Sequence, residues 1–196
     1  MSGVVVPGFA TSRKTPGVFL NVILGGAASS PAASPIKILL MGNKSAAISV
    51  SSPTLALPAG TIAVNTPIAL ASEDDAATYF GLGSEVHVMA RAVFAQYPDA
   101  TLYGIAVAEA GTAGDVICTF ANAATAAYAI RVRACGYTFD VSVASGDSIA
   151  TIVTALCNAV NAVTWLPFYA QFSTGAVTFT AKNTGPRGND LAVLLS

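Results

Sequence analysis

The chain has 196 residues, 54% of them hydrophobic and only 10% charged, against about 25% charged in a typical soluble protein. This composition excludes a disordered chain. The net charge of −1, without any cluster of cations, excludes a nucleic-acid-binding surface. No apolar run approaches the roughly 18 residues that a membrane-spanning helix needs, so no membrane contact is expected. A surface with so few charges suits a protein that packs against copies of itself.

The cysteines and the N-terminus indicate a reducing compartment. Cys118, Cys135 and Cys157 are odd in number, widely spaced and without a C-x-x-C pair, so they predict neither a disulfide framework nor a zinc site. The first residues lack the basic-then-apolar order of a secretory signal. We therefore expect the protein to be made and kept in a cytoplasm.

Residues 1–35 are predicted to form an extended arm. They are rich in Gly, Pro, Ser and Ala and show no amphipathic period. Two short β-prone runs in this segment are bounded by Pro-Gly or Gly-Gly pairs, which is typical of strands without a neighbouring partner. Such strands would pair with something distant, such as another subunit. The residues expected to make this link are Val4, Val5, Val6, Val18, Phe19 and Val22.

Residues 36–110 show the order strand, helices, strand. Ile36–Met41 is a compact apolar run that predicts a buried strand, and Thr101–Val107 predicts another. Between them, Ser45–Ser72 carries no charge and contains three prolines, which indicates strands and loops packed on other protein. This order of elements is typical of an α/β layer.

Two helices are predicted between these strands. Ser72 is the expected N-cap of the first helix, which has three acidic residues in its first turn and ends at Gly81. The second helix extends from about Ser84 to Tyr97, where Pro98 stops it. Its predicted buried face comprises Val86, Met89, Ala90, Val93, Phe94 and Tyr97. His87 lies off that face and is predicted to be a surface histidine.

Residues 111–196 are β-rich. Two alternating runs, Tyr128–Ala134 and Tyr137–Val143, predict a hairpin with one buried face that includes both tyrosines. Asp147 is expected to cap a helix that ends near Val163. The remaining predictions are strands around Phe168–Phe172 and Val177–Ala181, a turn-rich loop at Lys182–Asp190, and an apolar run at Leu191–Leu195. That last run is expected either to continue in a longer protein or to pair with a distant strand. The predicted fold class is therefore mixed α+β.

The sequence predicts no enzyme, no cofactor and no metal site. His87 is the only histidine, and Cys118 and Cys157 lie in apolar elements, so neither a Cys–His dyad nor a multi-histidine metal site is expected. The segment Gly42–Ser45 lacks the adjacent Gly-Lys of a P-loop, and Gly81–Gly83 lacks the third glycine of a dinucleotide loop. The acidic run Glu73–Asp75 is interpreted as helix capping, and Asn189-Asp190 as a tight turn.

The order of several motifs is more specific than any one of them. In the first half these motifs are Thr15–Phe19, Ile38–Gly42, Asn65–Ile68 and Tyr79–Gly81. In the second half they are Ala144–Ala150 with the Ala/Asn-rich helix that follows, Val177–Lys182 and Gly188–Leu191. In this order and spacing, over nearly the whole chain, they resemble the N-terminal half of the contractile-tail sheath proteins of Mu-like bacteriophages.

The resemblance implies a structural subunit that polymerises helically around a tail tube and contracts to drive the tube into the host envelope. Its implied partners are other sheath subunits, the tail tube protein, and the baseplate and tail terminator proteins. The implied location is the virion tail, after assembly in the cytoplasm of a host bacterium. Residues 1–35 would be the linking arm, residues 36–110 part of the conserved sheath domain, and residues 111–196 an inserted outer domain. Sheath proteins usually continue into a C-terminal domain that nothing in this chain resembles.

Two other classes of function stay open. The first is a surface or glycan-binding module of a phage particle, formed by residues 115–196 if Tyr128, Tyr137 or Trp165 is exposed. The second is an enzyme that uses His87 or a cysteine, for which no convergent polar cluster is visible.

Overall fold

The structure is a computed structural model, and it describes residues 37–196. This part of the chain contains eleven strands and three helices. The mixed α+β class predicted from the sequence is confirmed. In chain order the elements are β1 (Lys37–Gly42), β2 (Ile48–Ser51), β3 (Thr54–Leu57), β4 (Pro67–Leu70), α1 (Glu73–Phe80), α2 (Glu85–Gln96), β5 (Thr101–Ala106), β6 (Ala113–Thr119), β7 (Tyr128–Ala134), β8 (Tyr137–Val143), α3 (Ile149–Asn161), β9 (Phe168–Ser173), β10 (Ala176–Thr184), a 3₁₀ turn (Pro186–Asp190) and β11 (Val193–Leu195).

The first sheet has the order β1-β5-β4 and is covered by helices on one face. β1 pairs parallel with β5, and β4 pairs antiparallel with β5. Side chains alternate along these strands, so one face is buried against α1 and α2. The buried residues are Leu40, Leu70, Ala76, Phe80, Val86, Ala90, Leu102 and Ala106. Gly104 lets the Phe80 ring approach the sheet, because a Cβ there would lie 2.5 Å from Phe80 Cζ.

Both helices of this part begin where the sequence predicts. The Ser72 hydroxyl accepts the Asp75 N–H at 3.1 Å, and the Ser84 hydroxyl accepts the His87 N–H at 3.2 Å. Gly81, with φ of 87°, ends α1. Each serine satisfies one of the unpaired donors of a helix N-terminus, so the predicted N-cap at Ser72 is confirmed, and Ser84 is a second N-cap.

The second part of the chain combines two three-stranded sheets with α3. One sheet has the order β6-β10-β9 and the other β11-β7-β8, both antiparallel, and α3 packs between them. The predicted hairpin of β7 and β8 is confirmed. The largest fully buried side chains of this part are Val132, Ile152, Val153, Leu156, Val160, Leu166, Phe168 and Phe179.

Several local predictions for the second part are wrong. The N-cap of α3 is Ser148, whereas the Asp147 carboxylate accepts the Ala144 N–H in the preceding turn. Tyr128 is exposed, since it is the first residue of β7 and the buried alternation starts only at Ile130. β10 continues to Thr184, beyond the predicted end at Ala181, because Thr184 pairs with Ala113 of β6 after an irregularity in the register.

The final apolar run pairs within the described chain. Val193–Leu195 forms β11 and lies antiparallel to β7, with Leu195 opposite Val132. The second of the two alternatives offered for this run is therefore confirmed.

Among the described residues, the hydrophobic side chains form two main clusters, one drawn from residues 38–106 and the other from residues 116–195. The predicted boundary at residues 110–111 falls between them along the chain, and the division into two domains stays a prediction. Residues 37–196 belong to one compact unit, and hydrogen bonds cross between the two clusters. Among the described helices, none is long and apolar enough to cross a membrane.

Candidate functional site

The first sheet leaves its second face uncovered by side chains of the described residues. By strand alternation this face, which we call the open face, comprises Leu39, Met41, Tyr103, Ile105 and Val107. Leu39 is 51% exposed and Met41 58%. In the parallel register Leu39 lies beside Tyr103 and Met41 beside Ile105, so the apolar side chains form one continuous patch.

The open face carries almost no charge. Lys37 is the only charged residue in β1, β4 and β5, and its ammonium lies 5.8 Å from the centre of the Tyr103 ring. An exposed apolar patch of this kind on a folded protein marks a contact surface for another macromolecule.

The outer edge of β1 adds backbone groups to this patch. In residues 37–196, β1 pairs only with β5, so the N–H and C=O groups of its other edge have no strand partner among the described residues. The strand contains no proline, and its one charge is at its first residue. It therefore lacks the charges and prolines that protect an edge strand from pairing with another chain.

A second cluster of functional interest lies where the two hydrophobic clusters meet. We call it the joint and define it by Leu82, Gly83, His87, Arg91, the segment Thr164–Leu166, and Lys182. Its first three members belong to the turn between α1 and α2 and to the start of α2. Thr164–Leu166 precedes β9, and Lys182 lies in β10.

Lys182 is the buried cation of the joint and is only 5% exposed. Its ammonium donates to the carbonyl oxygen of Thr164 at 2.5 Å and to that of Leu82 at 3.2 Å. No carboxylate among residues 37–196 forms an ion pair with it. Burial lowers the pKa of Lys182 to about 8.

His87 is buried, not on the surface, so that prediction is wrong. Its side chain is 1% exposed. The apolar face of α2 predicted contact with one layer, but the segment before β9 and Lys182 cover a second side of the helix. Nδ1 accepts the Gly83 N–H at 3.0 Å, and Nε2 lies 3.7 Å from the Glu73 carboxylate. Burial lowers the pKa of His87 despite the opposing effect of Glu73.

Trp165 closes the joint on its outer side. The Arg91 guanidinium lies 3.6 Å from the centre of the Trp165 ring, and Tyr137 contacts the ring edge-on at 4.7 Å between centroids. Arg91 Nε is also 3.5 Å from the Glu73 carboxylate. Arg91 lies over the Trp165 ring, and Tyr137 and Trp165 contact each other and are only partly exposed, so these two rings do not form an open aromatic platform. Tyr128 is the exposed aromatic residue of the three.

The loop that was compared with a P-loop is engaged with the protein itself. Lys44 donates to the carbonyl oxygens of Gly60 and Ile62, at 3.3 and 2.7 Å. Asn43 is buried, and its amide hydrogen-bonds the Glu109 carboxylate. These residues line a cavity of about 270 Å³, in which the polar side chains of Asn43, Lys44 and Glu109 already have protein partners.

The other residues considered for chemistry are dispersed. Cys157 is buried in the second hydrophobic cluster, where burial raises its pKa to about 12. Burial also raises the pKa values of Cys118 and Cys135. In the described range, no hydrogen bond joins His87 to a cysteine, and no group of three or more potential metal ligands is found. Asn189 and Asp190 lie in the 3₁₀ turn.

The site residues predicted from the sequence lie outside the described residues. These are the arm residues Val4, Val5, Val6, Val18, Phe19 and Val22. Sequence reasoning missed the open face because Ile36–Met41 was interpreted as a strand buried on both sides. The alternation of burial in β1 was not visible in an unbroken apolar run. It also missed Lys182, which was assigned to a loop.

The comparisons with known proteins assign no family. No protein-family model matches the sequence, and no curated protein matches it significantly.

Proposed function

We propose that the chain is a structural subunit of a contractile bacteriophage tail sheath, or the N-terminal part of one. In this proposal it polymerises helically with other sheath subunits around the tail tube protein, under control of the baseplate and the tail terminator. The assembly forms in the cytoplasm of a host bacterium and functions in the virion tail. The chain has no enzymatic role and no cofactor in this proposal.

The observation that carries the proposal is the open face together with the outer edge of β1. A face that exposes Leu39 and Met41 and bears one charge is costly in water, because exposed apolar area costs about 25 cal/mol per Å². Contact with another subunit would remove that cost. The order of the sequence motifs supports the choice of a sheath among assembling proteins.

The proposed assembly and its contraction require no chemistry within the subunit. A head-to-tail contact between unlike surfaces generates a helical filament when the rotation does not close. Contraction then requires that subunits exchange one set of contacts for another, and no bond-making chemistry within the subunit. The dispersed positions of His87 and the three cysteines fit a protein of this kind.

The test is electron microscopy of the complete gene product, with and without charges on the open face. Leu39→Lys with Met41→Lys places two cations on the patch without disturbing the helix-covered face. We expect tubes or rings from the unsubstituted protein and monomers from the double variant, with sedimentation velocity as the quantitative measure.

The matched control is Leu194→Lys, because Leu194 is 67% exposed but lies on β11, away from the first sheet. This variant should assemble like the unsubstituted protein. If the unsubstituted product stays monomeric at every salt concentration, the sheath proposal fails. If both charged variants assemble equally well, the open face is not the assembly surface.

A further inference from the structure

Lys182 is a buried cation of the joint, and no carboxylate of the described residues forms an ion pair with it. Two carbonyl oxygens, of Leu82 and Thr164, hold its ammonium. Those oxygens belong to the two segments that meet in the joint, the turn between α1 and α2 and the segment before β9. The backbone of Lys182 adds a third link, since its N–H donates to the Pro167 carbonyl at 2.8 Å.

Space around the ammonium is tight. A Cβ at Gly83 would lie 2.7 Å from Lys182 Nζ and would collide with the Leu166 carbonyl oxygen. Water therefore has little room to solvate the cation while the two segments are in contact. Burial raises the free energy of the charged form of Lys182 and not that of the neutral form, because desolvation penalises only the charged form.

The charged and titratable groups around Lys182 do not supply a counterion. From α2 it faces His87, which is itself influenced by Glu73, Asp74 and Arg91. Glu85 directs a carboxylate oxygen to the Asn43 N–H at 3.1 Å. The other elements packed on β10 carry Asp115 on β6, Tyr169 on β9, Cys157 on α3 and Asp190 in the 3₁₀ turn.

We propose that the joint is a proton-sensitive latch, in which Lys182 holds the two segments together more strongly when it is neutral than when it is protonated. When the segments separate, water reaches the ammonium and the lysine regains its ordinary proton affinity. By linkage, the open form therefore binds the proton more tightly than the closed form. The latch is a property of residues 37–196 and does not depend on the proposed function.

The direction of the effect follows from the two proton affinities. The pKa of Lys182 is about 8 in the closed joint and 10.5 when it is solvated. Raising the pH from 7 to 9 removes the proton from the closed form first, so the equilibrium constant for opening falls about tenfold. Over this range His87 stays neutral, since its pKa is lowered from 6.5, and all three cysteine pKa values are raised above 9.0.

Amide hydrogen exchange measures this opening directly. The Gly83 N–H, bonded to His87 Nδ1, and the Lys182 N–H, bonded to the Pro167 carbonyl, report on the joint. Protection factors, corrected for the intrinsic exchange rate, are measured at pH 7, 8 and 9. We expect both to rise about tenfold across this range and to stay below the protection factors of Val132 and Val141 in the β7–β8 hairpin, which exchange only when a larger part of the chain unfolds.

Lys182→Met keeps most of the side-chain stem and removes the titrating group. In this variant the protection factors of the amides at positions 83 and 182 should not rise with pH. Lys44→Met is the matched control, because Lys44 also donates to two backbone carbonyls, and it should retain the tenfold rise. Protection factors at Gly83 and Lys182 as high as those at Val132 and Val141 would mean that the joint opens only by global unfolding and would overturn the local latch. Flat protection at Gly83 and Lys182 in the unsubstituted protein overturns it as well, and this result needs no variant to fold.

Discussion

His87 shows how a single buried residue makes stability depend on pH. Its imidazole is 1% exposed and accepts the Gly83 N–H, an arrangement that requires a neutral Nδ1. The folded-state pKa is lowered from 6.5, so below pH 6.5 the unfolded chain binds the proton more readily. The contribution of His87 is therefore complete above pH 6.5 and is lost as the pH falls toward the folded-state pKa.

We expect His87→Asn to weaken this pH dependence, because the asparagine oxygen can accept the Gly83 N–H and does not titrate. The free energy of unfolding, from urea titrations at pH 7.5 and pH 5, should fall more in the unsubstituted protein than in the variant. The difference between the two falls is the quantity of interest, since carboxylates titrate in both proteins. An equal decrease in the free energy of unfolding in the two proteins would show that protonation of His87 does not destabilise the folded state.

The contact between Arg91 and Trp165 gives a second prediction at this scale. A guanidinium 3.6 Å from the ring centre is close enough for a cation–π interaction, and a double-mutant cycle with Arg91→Met and Trp165→Leu should give a coupling energy of about 1 kcal/mol. Lys37 and Tyr103 are the control pair. Their separation is 5.8 Å at an exposed site, so the same cycle should give about 0.5 kcal/mol or less. Equal coupling in the two pairs would refute the assignment.

Buried polar residues such as His87 and Lys182 were the least predictable from the sequence. The helical period placed Val86 and Ala90 correctly in the core, because a single periodic face requires only one packing layer. His87 and Lys182 became buried because a second layer covers them, and nothing local in the sequence encodes that contact. The carbonyl partners of Lys182 are likewise backbone atoms from two distant segments.

At the scale of elements, capping residues fixed most helix starts in advance. The sequence predicts the N-cap at Ser72 and a helix start near Ser84, whereas for α3 it predicts Asp147 as the N-cap in place of Ser148. The two residues are adjacent, both are good caps, and only the turn geometry decides between them. In the structure the Ser148 hydroxyl accepts the Thr151 N–H at 3.2 Å.

We expect Ser148→Ala to lower the free energy of unfolding by about 1 kcal/mol, the usual cost of losing an N-cap. Ser142→Ala is the control, because Ser142 is an exposed residue of β8 outside any helix cap, and it should change stability by less than about 0.5 kcal/mol. Both values come from urea unfolding at pH 7. A loss at Ser148 no larger than that at Ser142 would contradict the observed cap.

Strands were predicted both from alternating residues and from some short apolar runs, but only alternation shows which face is buried. The β7–β8 hairpin alternates over seven residues on each side and was found with both of its ends correct. β6 was not predicted, because the apolar run Val116–Cys118 hides in the sequence the alternation of burial that the strand shows. For β1 the prediction of a strand was right, but an unbroken apolar run cannot show that one of its faces is left open.

At the scale of the whole molecule, folding stability and the proposed assembly depend on different sets of residues. The two hydrophobic clusters and the joint hold residues 37–196 together, whereas the open face contributes little to either cluster. Leu39 and Met41 can therefore be replaced by lysine with a small expected effect on folding. This separation makes the proposed assembly testable without unfolding the protein.

The proposed arm gives the final prediction. Deletion of residues 1–26 should leave the melting temperature within about 3 °C of that of the complete gene product, because residues 36–196 form a compact unit of their own. The same deletion should abolish tube-like polymers if the β-prone runs link neighbouring subunits by strand pairing. Calorimetry and electron microscopy on one preparation test the two halves separately. Intact polymers after the deletion would refute the linking role of Val4–Val6 and Val18–Val22, and would leave the open face as the surface that carries assembly.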